Sequence, residues 1–141
     1  VLLMQAEAYI QLGQQEKALD IINQIRNRAA ASTGRLKKAD GTFAPKYNVK
    51  PYSSTTWTQN FAWKALMWER RIEFATEGSR FFDLVRWGIA EQTLNEYISK
   101  EKVRRPYLAT AKFTAGRDEY LPIPQAEITF TNGLYKQNPG F

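Results

Sequence analysis

Cysteine and histidine are both missing from this chain of 141 residues. Without them the chain can form no disulfide, no zinc site with Cys or His ligands, no thiol nucleophile and no triad with an imidazole base. Carboxylate, Lys, Ser/Thr or Tyr chemistry remains, together with plain binding. Most common catalytic chemistries are therefore removed, and we expect no metal and no other cofactor.

Long apolar runs are also missing. No stretch reaches the roughly 18 apolar residues of a membrane-spanning helix, so none is predicted here. The chain opens on Val1 inside a helical pattern, with no initiator Met and no signal-sequence features. We therefore expect the C-terminal portion of a larger protein, in which any lipid anchor or other membrane attachment lies outside this segment.

Basic residues are in modest excess, with 20 Lys and Arg against 14 Asp and Glu, which gives a net charge of +6. Part of the excess is local, because the stretch 26–38 holds basic residues and no acid. No RNP-like, KH-like or basic-zipper pattern accompanies it, so we expect no nucleic-acid partner. Hydrophobic residues make up 43% and aromatic residues 13%, which is enough to predict a folded segment.

Apolar residues recur at three- and four-residue spacing over much of the chain, which predicts an all-α fold. The stretch 2–29 is predicted to form two helices joined near Gly13, in a hairpin similar to one tetratricopeptide repeat. Further helices are predicted over 60–78, 80–87 and 89–102. The expected architecture is tetratricopeptide-like helical hairpins with long irregular loops and an extended C-terminal tail.

Two segments lack helical periodicity. Residues 32–59 are predicted to form a long variable loop, because glycines and prolines are scattered through them. Residues 106–141 are predicted to form an extended tail, since Pro122 and Pro124 push their predecessors out of the helical region.

The stretch 69–88 is the most specific part of the sequence. It predicts two charged ladders that face each other across Gly78 and pair as a salt-bridge network. The ladders are Glu69, Glu73 and Glu77 on one helix and Arg80, Asp83 and Arg86 on the next. Phe81, Phe82 and Trp87 are expected to be buried around this corner, and Trp68 is expected to be buried on the apolar stripe of the preceding helix.

This stretch and four further motifs, at 7–13, 22–29, 120–124 and 137–141, resemble the C-terminal part of the SusD/RagB family. One departure is Ser79, where the family often has His. The resemblance implies an outer-membrane lipoprotein of a polysaccharide-utilization system, which binds glycans at the cell surface and covers a TonB-dependent transporter. It implies an oligosaccharide or polysaccharide ligand and no enzymatic activity.

If the protein binds glycans, the loop aromatics are the candidates for sugar contact, because pyranose C–H faces stack on exposed rings. We rank Trp57 first, then Tyr52, then Tyr47. The alternative is that these rings pin the loop to the helices. The polar pairs Asn27-Arg28 and Gln137-Asn138 are expected to cap backbone groups in preference to binding sugar.

Two other classes of function remain open on the residues alone. Glu69 and Glu73 could suggest a glycosidase, which needs two carboxylates beside a sugar. Acids surrounded by arginines should stay ionised, however, so neither suits a general acid, and we predict no catalytic residue. The hairpin around Gly13 also permits a tetratricopeptide-type module that binds other proteins.

Overall fold

The structure is a computed structural model and describes residues 1–32, 36–43 and 48–141. In these residues it contains six α-helices, and the only β pairing is an isolated antiparallel bridge between Lys37 and Phe43. The helices are α1 (Leu2–Gln11), α2 (Gln15–Ser32), α3 (Gln59–Glu73), α4 (Ser79–Arg86), α5 (Ala90–Glu101) and α6 (Gln125–Phe130). The predicted all-α fold is confirmed.

Two compact units divide the chain, Val1–Thr76 and Glu77–Phe141. In the first unit, α1 and α2 form the predicted hairpin. Gly13 sits in the turn at a φ of +71°, a left-handed conformation that glycine adopts without a steric penalty. The turn is closed by a hydrogen bond from the Gln14 amide to the Tyr9 carbonyl at 2.8 Å.

Helix α3 packs against both members of this hairpin. It begins after Thr58, whose side chain accepts a hydrogen bond from the Phe61 amide at 3.3 Å. The buried residues of the unit form one core, and three of its members come from α3. The core contains Leu3, Ala6, Ile10, Ala18, Leu19, Ile22, Ile25, Trp57, Ala62, Ala65 and Leu66.

The inward face of α3 differs from the stripe that its hydrophobic periodicity predicts. Glu69 and Arg70 are buried, whereas Trp68 is 55% exposed and Ile72 is 64% exposed. The prediction that Trp68 is buried is therefore wrong. The helix is rotated toward its charged residues because Glu69 has an ionic partner inside the unit, as described below.

The second unit has a smaller core of Leu84, Ala90 and Phe113. Gly78 precedes α4 with a φ of +76°. Phe81 is 37% exposed and Phe82 is 71% exposed, so the prediction that both are buried is wrong. Helix α6 lies within the stretch 106–141, so that stretch is not extended throughout.

Side-chain amides hold the irregular segments of the second unit. Asn95 donates to the Phe113 carbonyl and accepts from the Phe113 amide, both at 2.9 Å. Gln137 does the same for Ile123, at 2.9 and 2.7 Å. Each amide takes the place of a neighbouring strand by satisfying both polar groups of one backbone residue. We call this arrangement an amide clamp.

The sequence predicts no membrane-spanning helix. Across the described residues, no helix combines the length and the apolar character needed to cross a bilayer.

Candidate functional site

Trp57, the first-ranked sugar-contact residue, lies in the core of the first unit with 5% of its surface exposed. Its indole Nε1 donates a hydrogen bond to the Gln15 carbonyl at 2.7 Å. Its ring lies 5.4 Å from that of Tyr52 and 5.7 Å from that of Phe61. The expectation that Trp57 offers an exposed face is therefore wrong. The ring ties the segment 48–58, called the loop from here on, to the start of α2.

Tyr52 is half-buried beside Trp57 and is held by an amide clamp from α2. The Asn23 side chain donates to the Tyr52 carbonyl at 3.0 Å and accepts from the Tyr52 amide at 2.7 Å. The Arg26 guanidinium lies over the Tyr52 ring, with its carbon 4.2 Å from the ring centre. Asn23 and Arg26, both on α2, thus contact the same loop residue, Tyr52.

Glu69 completes this arrangement from α3. Its Oε1 accepts from Arg26 Nη1 at 2.5 Å and from the Tyr52 hydroxyl at 3.1 Å. Arg26 Nε also donates to the Lys50 carbonyl at 2.5 Å. Glu69 is 6% exposed, and the guanidinium supplies the opposite charge that a buried carboxylate needs.

The pKa of the Tyr52 phenol is raised by this environment. Burial is the larger cause, because it penalises the phenolate, and the negative charge of Glu69 adds to it. The nearby Arg26 cation acts in the opposite direction. The phenol therefore stays protonated, which lets it donate to Glu69.

The structure brings two of the three predicted site residues together. Trp57 and Tyr52 share one cluster with Phe61, while Tyr47 lies outside the described residues. The cluster fits the alternative of aromatic residues that pin the loop. Sequence reasoning missed Asn23, Arg26 and Glu69 as the residues that hold it, although the pattern Asn-x-x-Arg on α2 is visible in the sequence.

Two acids of the first predicted ladder, Glu69 and Glu73, have ion-pair partners on α2. Glu73 forms an ion pair with Arg28 of α2, and Asp83 accepts from Arg86 within α4 at 2.9 Å. These carboxylates are engaged in helix-to-helix and intrahelical contacts. Among the described residues there is also no group of three or more Asp and Glu placed to hold a metal ion.

A cavity of about 330 Å³ opens between the end of α1 and the start of α3. Its wall consists of Ile10, Gln11, Gln59, Asn60 and Trp63. Side-chain amides both donate and accept hydrogen bonds, so three of them in one wall suit a ligand rich in hydroxyl groups. No sequence motif reveals this cavity, because its residues come from separate helices.

The fold and these contacts define an all-α scaffold in which the described loop segment is anchored to the helices. The family model of the SusD family matches residues 1–141, which is the whole chain. The chain belongs to the SusD family, whose members bind carbohydrate at the cell surface in association with the outer membrane. A search of curated proteins finds no match to the chain.

Proposed function

We propose that this chain is part of a lipid-anchored outer-membrane protein that captures an oligosaccharide or polysaccharide and delivers it to a TonB-dependent transporter. The observation that carries the proposal is the family match over all 141 residues. The amide-lined cavity beside Trp63 supports it, because it suits a ligand with many hydroxyl groups.

The protein binds its glycan without cleaving it. A glycosidase needs one carboxyl group that is protonated and one that is free to attack or to activate water. Glu69 and Glu73 are instead paired with Arg26 and Arg28. Their contribution is to join α3 to α2.

Trp57 and Tyr52 serve this function by fixing the loop in place. Their rings are packed together at 5.4 Å, and each makes a hydrogen bond to the helices, Trp57 to the Gln15 carbonyl and Tyr52 to Glu69. A substitution to Ala at Trp57 would remove a buried ring, which destabilises a protein by about 3–5 kcal/mol. Loss of binding in that variant would therefore not identify a sugar contact.

The second unit supplies the surface for the transporter. It exposes several large apolar side chains, which a partner protein would cover. The most exposed are Phe130 (84%), Leu121 (83%), Val103 (82%) and Leu134 (80%).

Affinity electrophoresis of the intact protein in gels containing amylopectin, laminarin, arabinoxylan or galactomannan tests the binding proposal. We expect at least one polysaccharide to retard the protein and no reducing sugar to be released during long incubation. Migration that is unchanged in all four gels would contradict glycan binding, and release of reducing ends would contradict a pure binding role.

Co-purification from the outer membrane tests the proposed partner. We expect a TonB-dependent transporter to co-purify with the intact protein, and the double variant Phe130→Asp and Leu134→Asp to lose it while still being retarded by the polysaccharide. Retention of the transporter by this variant would place the contact elsewhere. A tetratricopeptide-type adaptor, in contrast, would bind peptide and show no retardation.

A further inference from the structure

Two exposed tyrosines lie near the end of α5, outside the anchored loop. Tyr97 is 52% exposed and Tyr107 is 73% exposed. Tyr97 lies on α5, and Tyr107 lies in the short 3₁₀ turn Pro106–Leu108 that follows. Exposed tyrosine rings combine an apolar face with a polar hydroxyl, which is the combination that sugar rings require of a protein surface.

A chain of polar contacts fixes the Tyr107 ring. The Glu101 carboxylate accepts from Arg105 Nε at 3.2 Å, and Arg105 Nη1 donates to the Tyr107 hydroxyl at 3.1 Å. Arg104 also donates to Glu101 at 3.2 Å. Glu101 is the most buried member, with 15% of its side chain exposed, so it anchors two arginines to the end of α5.

Tyr97 belongs to the same electrostatic environment. The pKa of the Arg105 guanidinium is raised, chiefly by its hydrogen bond with Tyr107 and further by electrostatic interaction with Tyr107, Glu101 and Tyr97. Tyr97 also lies four residues before Glu101 on α5, so the two side chains share one face of the helix.

We propose that Tyr97, Arg105 and Tyr107 form a contact site for a sugar ring of the bound oligosaccharide. The inference rests on the proposed function and adds a position for the ligand. A pyranose would lay its C–H face on the exposed rings, and its hydroxyl groups would accept from guanidinium N–H groups that Glu101 and Tyr107 do not use.

Preorganisation is the physical reason to select this site among the exposed aromatic residues. A ring already held by a hydrogen bond loses less conformational freedom when a ligand binds. Arg105 holds Tyr107 in this way and is itself held by Glu101. Tyr135 is similarly exposed, at 50%, but among the described residues no arginine donates to its hydroxyl, which makes it a matched control.

The test compares Tyr107→Ala, Tyr97→Ala and Tyr135→Ala in the intact protein. The probe is whichever of amylopectin, laminarin, arabinoxylan and galactomannan retards the parent, followed by calorimetry with its oligosaccharide. We expect each of the first two variants to raise Kd by about fivefold to twentyfold, and Tyr135→Ala to change it by less than about twofold. Circular dichroism melts check that all three are folded.

Tyr107→Phe separates ring contact from ring positioning. It keeps the apolar face and removes the acceptor for Arg105, so we expect a smaller rise in Kd, about twofold to fivefold. Kd values for Tyr107→Ala and Tyr97→Ala that match the parent would overturn this site and leave the proposed function standing. A parent protein that none of the four polysaccharides retards would overturn both.

Discussion

Glu69 is a charged side chain in the core of the first unit. Burial of a lone carboxylate would cost several kcal/mol, so its position depends on Arg26, whose side chain is 18% exposed, and on the Tyr52 hydroxyl. The three groups come from α3, α2 and the loop. One carboxylate therefore links all three segments.

Replacement of Glu69 by Gln should destabilise the protein by about 2–3 kcal/mol, because it leaves Arg26 as a partly buried cation without its counter-charge. Urea unfolding of the variant measures the loss. Glu73→Gln is the matched control on the same helix. Its partner Arg28 is 65% exposed, so that variant should lose less than about 1 kcal/mol. Equal losses of unfolding free energy in the two variants would show that the burial of Glu69 does not strengthen its contribution to stability.

The raised pKa of Tyr52 predicts a pH dependence at alkaline pH. In the unfolded chain the phenol titrates near pH 10, whereas in the folded protein it holds its proton to higher pH. Its contribution is therefore fully present below about pH 10 and is lost as the pH rises through the folded pKa. Unfolding of the parent and of Tyr52→Phe at about pH 9 and about pH 11 should show the stability advantage of the parent shrinking. An advantage that is the same at both pH values would contradict this.

The burial of the Glu69 side chain could not be predicted from the sequence. Hydrophobic periodicity places charged residues outside, and on α3 it selects the stripe that includes Trp68 and Ile72. The partner that permits burial of Glu69 is Arg26, 43 positions earlier in the chain. Periodicity within one helix contains no information about such a partner.

Amide clamps are the recurring device at the scale of the element. Asn23, Asn95 and Gln137 each bind both backbone groups of one residue in an irregular segment. An all-helical fold has no sheet ladder for such segments, so their amide and carbonyl groups need side-chain partners. The clamps on Tyr52 and Phe113 attach an irregular segment to a helix, and the clamp on Ile123 joins two irregular segments. The expectation that Gln137 caps backbone groups is confirmed by its two bonds to Ile123.

Asn23→Ala should release the loop from α2 and leave the helices formed. We expect hydrogen exchange of the Tyr52 amide to accelerate by about tenfold or more, since its acceptor is lost, and the free energy of unfolding to fall by about 1–2 kcal/mol. Asn27→Ala, at an exposed position of the same helix, is the control and should leave that amide unchanged. Unaltered exchange at Tyr52 in Asn23→Ala would show that the clamp does not hold the loop.

Helices α4 and α5 were predictable to within one residue at each end, whereas the helix predicted over 60–78 ends earlier, at Glu73. Predicted boundaries at 80–87 and 89–102 compare with Ser79–Arg86 and Ala90–Glu101. Helix α6 was not predicted, because it has six residues and the prolines before it favour extended structure. In the structure Pro124 immediately precedes the helix, where its fixed φ is compatible with a helix start.

At the scale of the molecule, the two compact units differ in how much apolar surface they bury. Among the described residues, the core of the first unit has eleven buried members and that of the second has three. This difference could not be predicted from the sequence. Phe81 and Phe82 are of a residue type that is usually buried, but their exposure depends on tertiary packing. For the same reason, the exposure of Tyr97 and Tyr107 near the end of α5 could not be predicted from the sequence.

Unequal cores predict unequal local stability in the free protein. Burial of apolar surface is the main favourable term in folding, so a unit with few buried residues should open at a lower free-energy cost. In native-state hydrogen exchange we expect α5 amides to open at least about 2 kcal/mol more easily than those of α2 and α3. Urea should lower the opening energies of α2 and α3 with a steep slope, because their exchange requires global unfolding of their unit. Equal opening energies across α2, α3 and α5 would mean that the chain unfolds as one cooperative body despite its divided core.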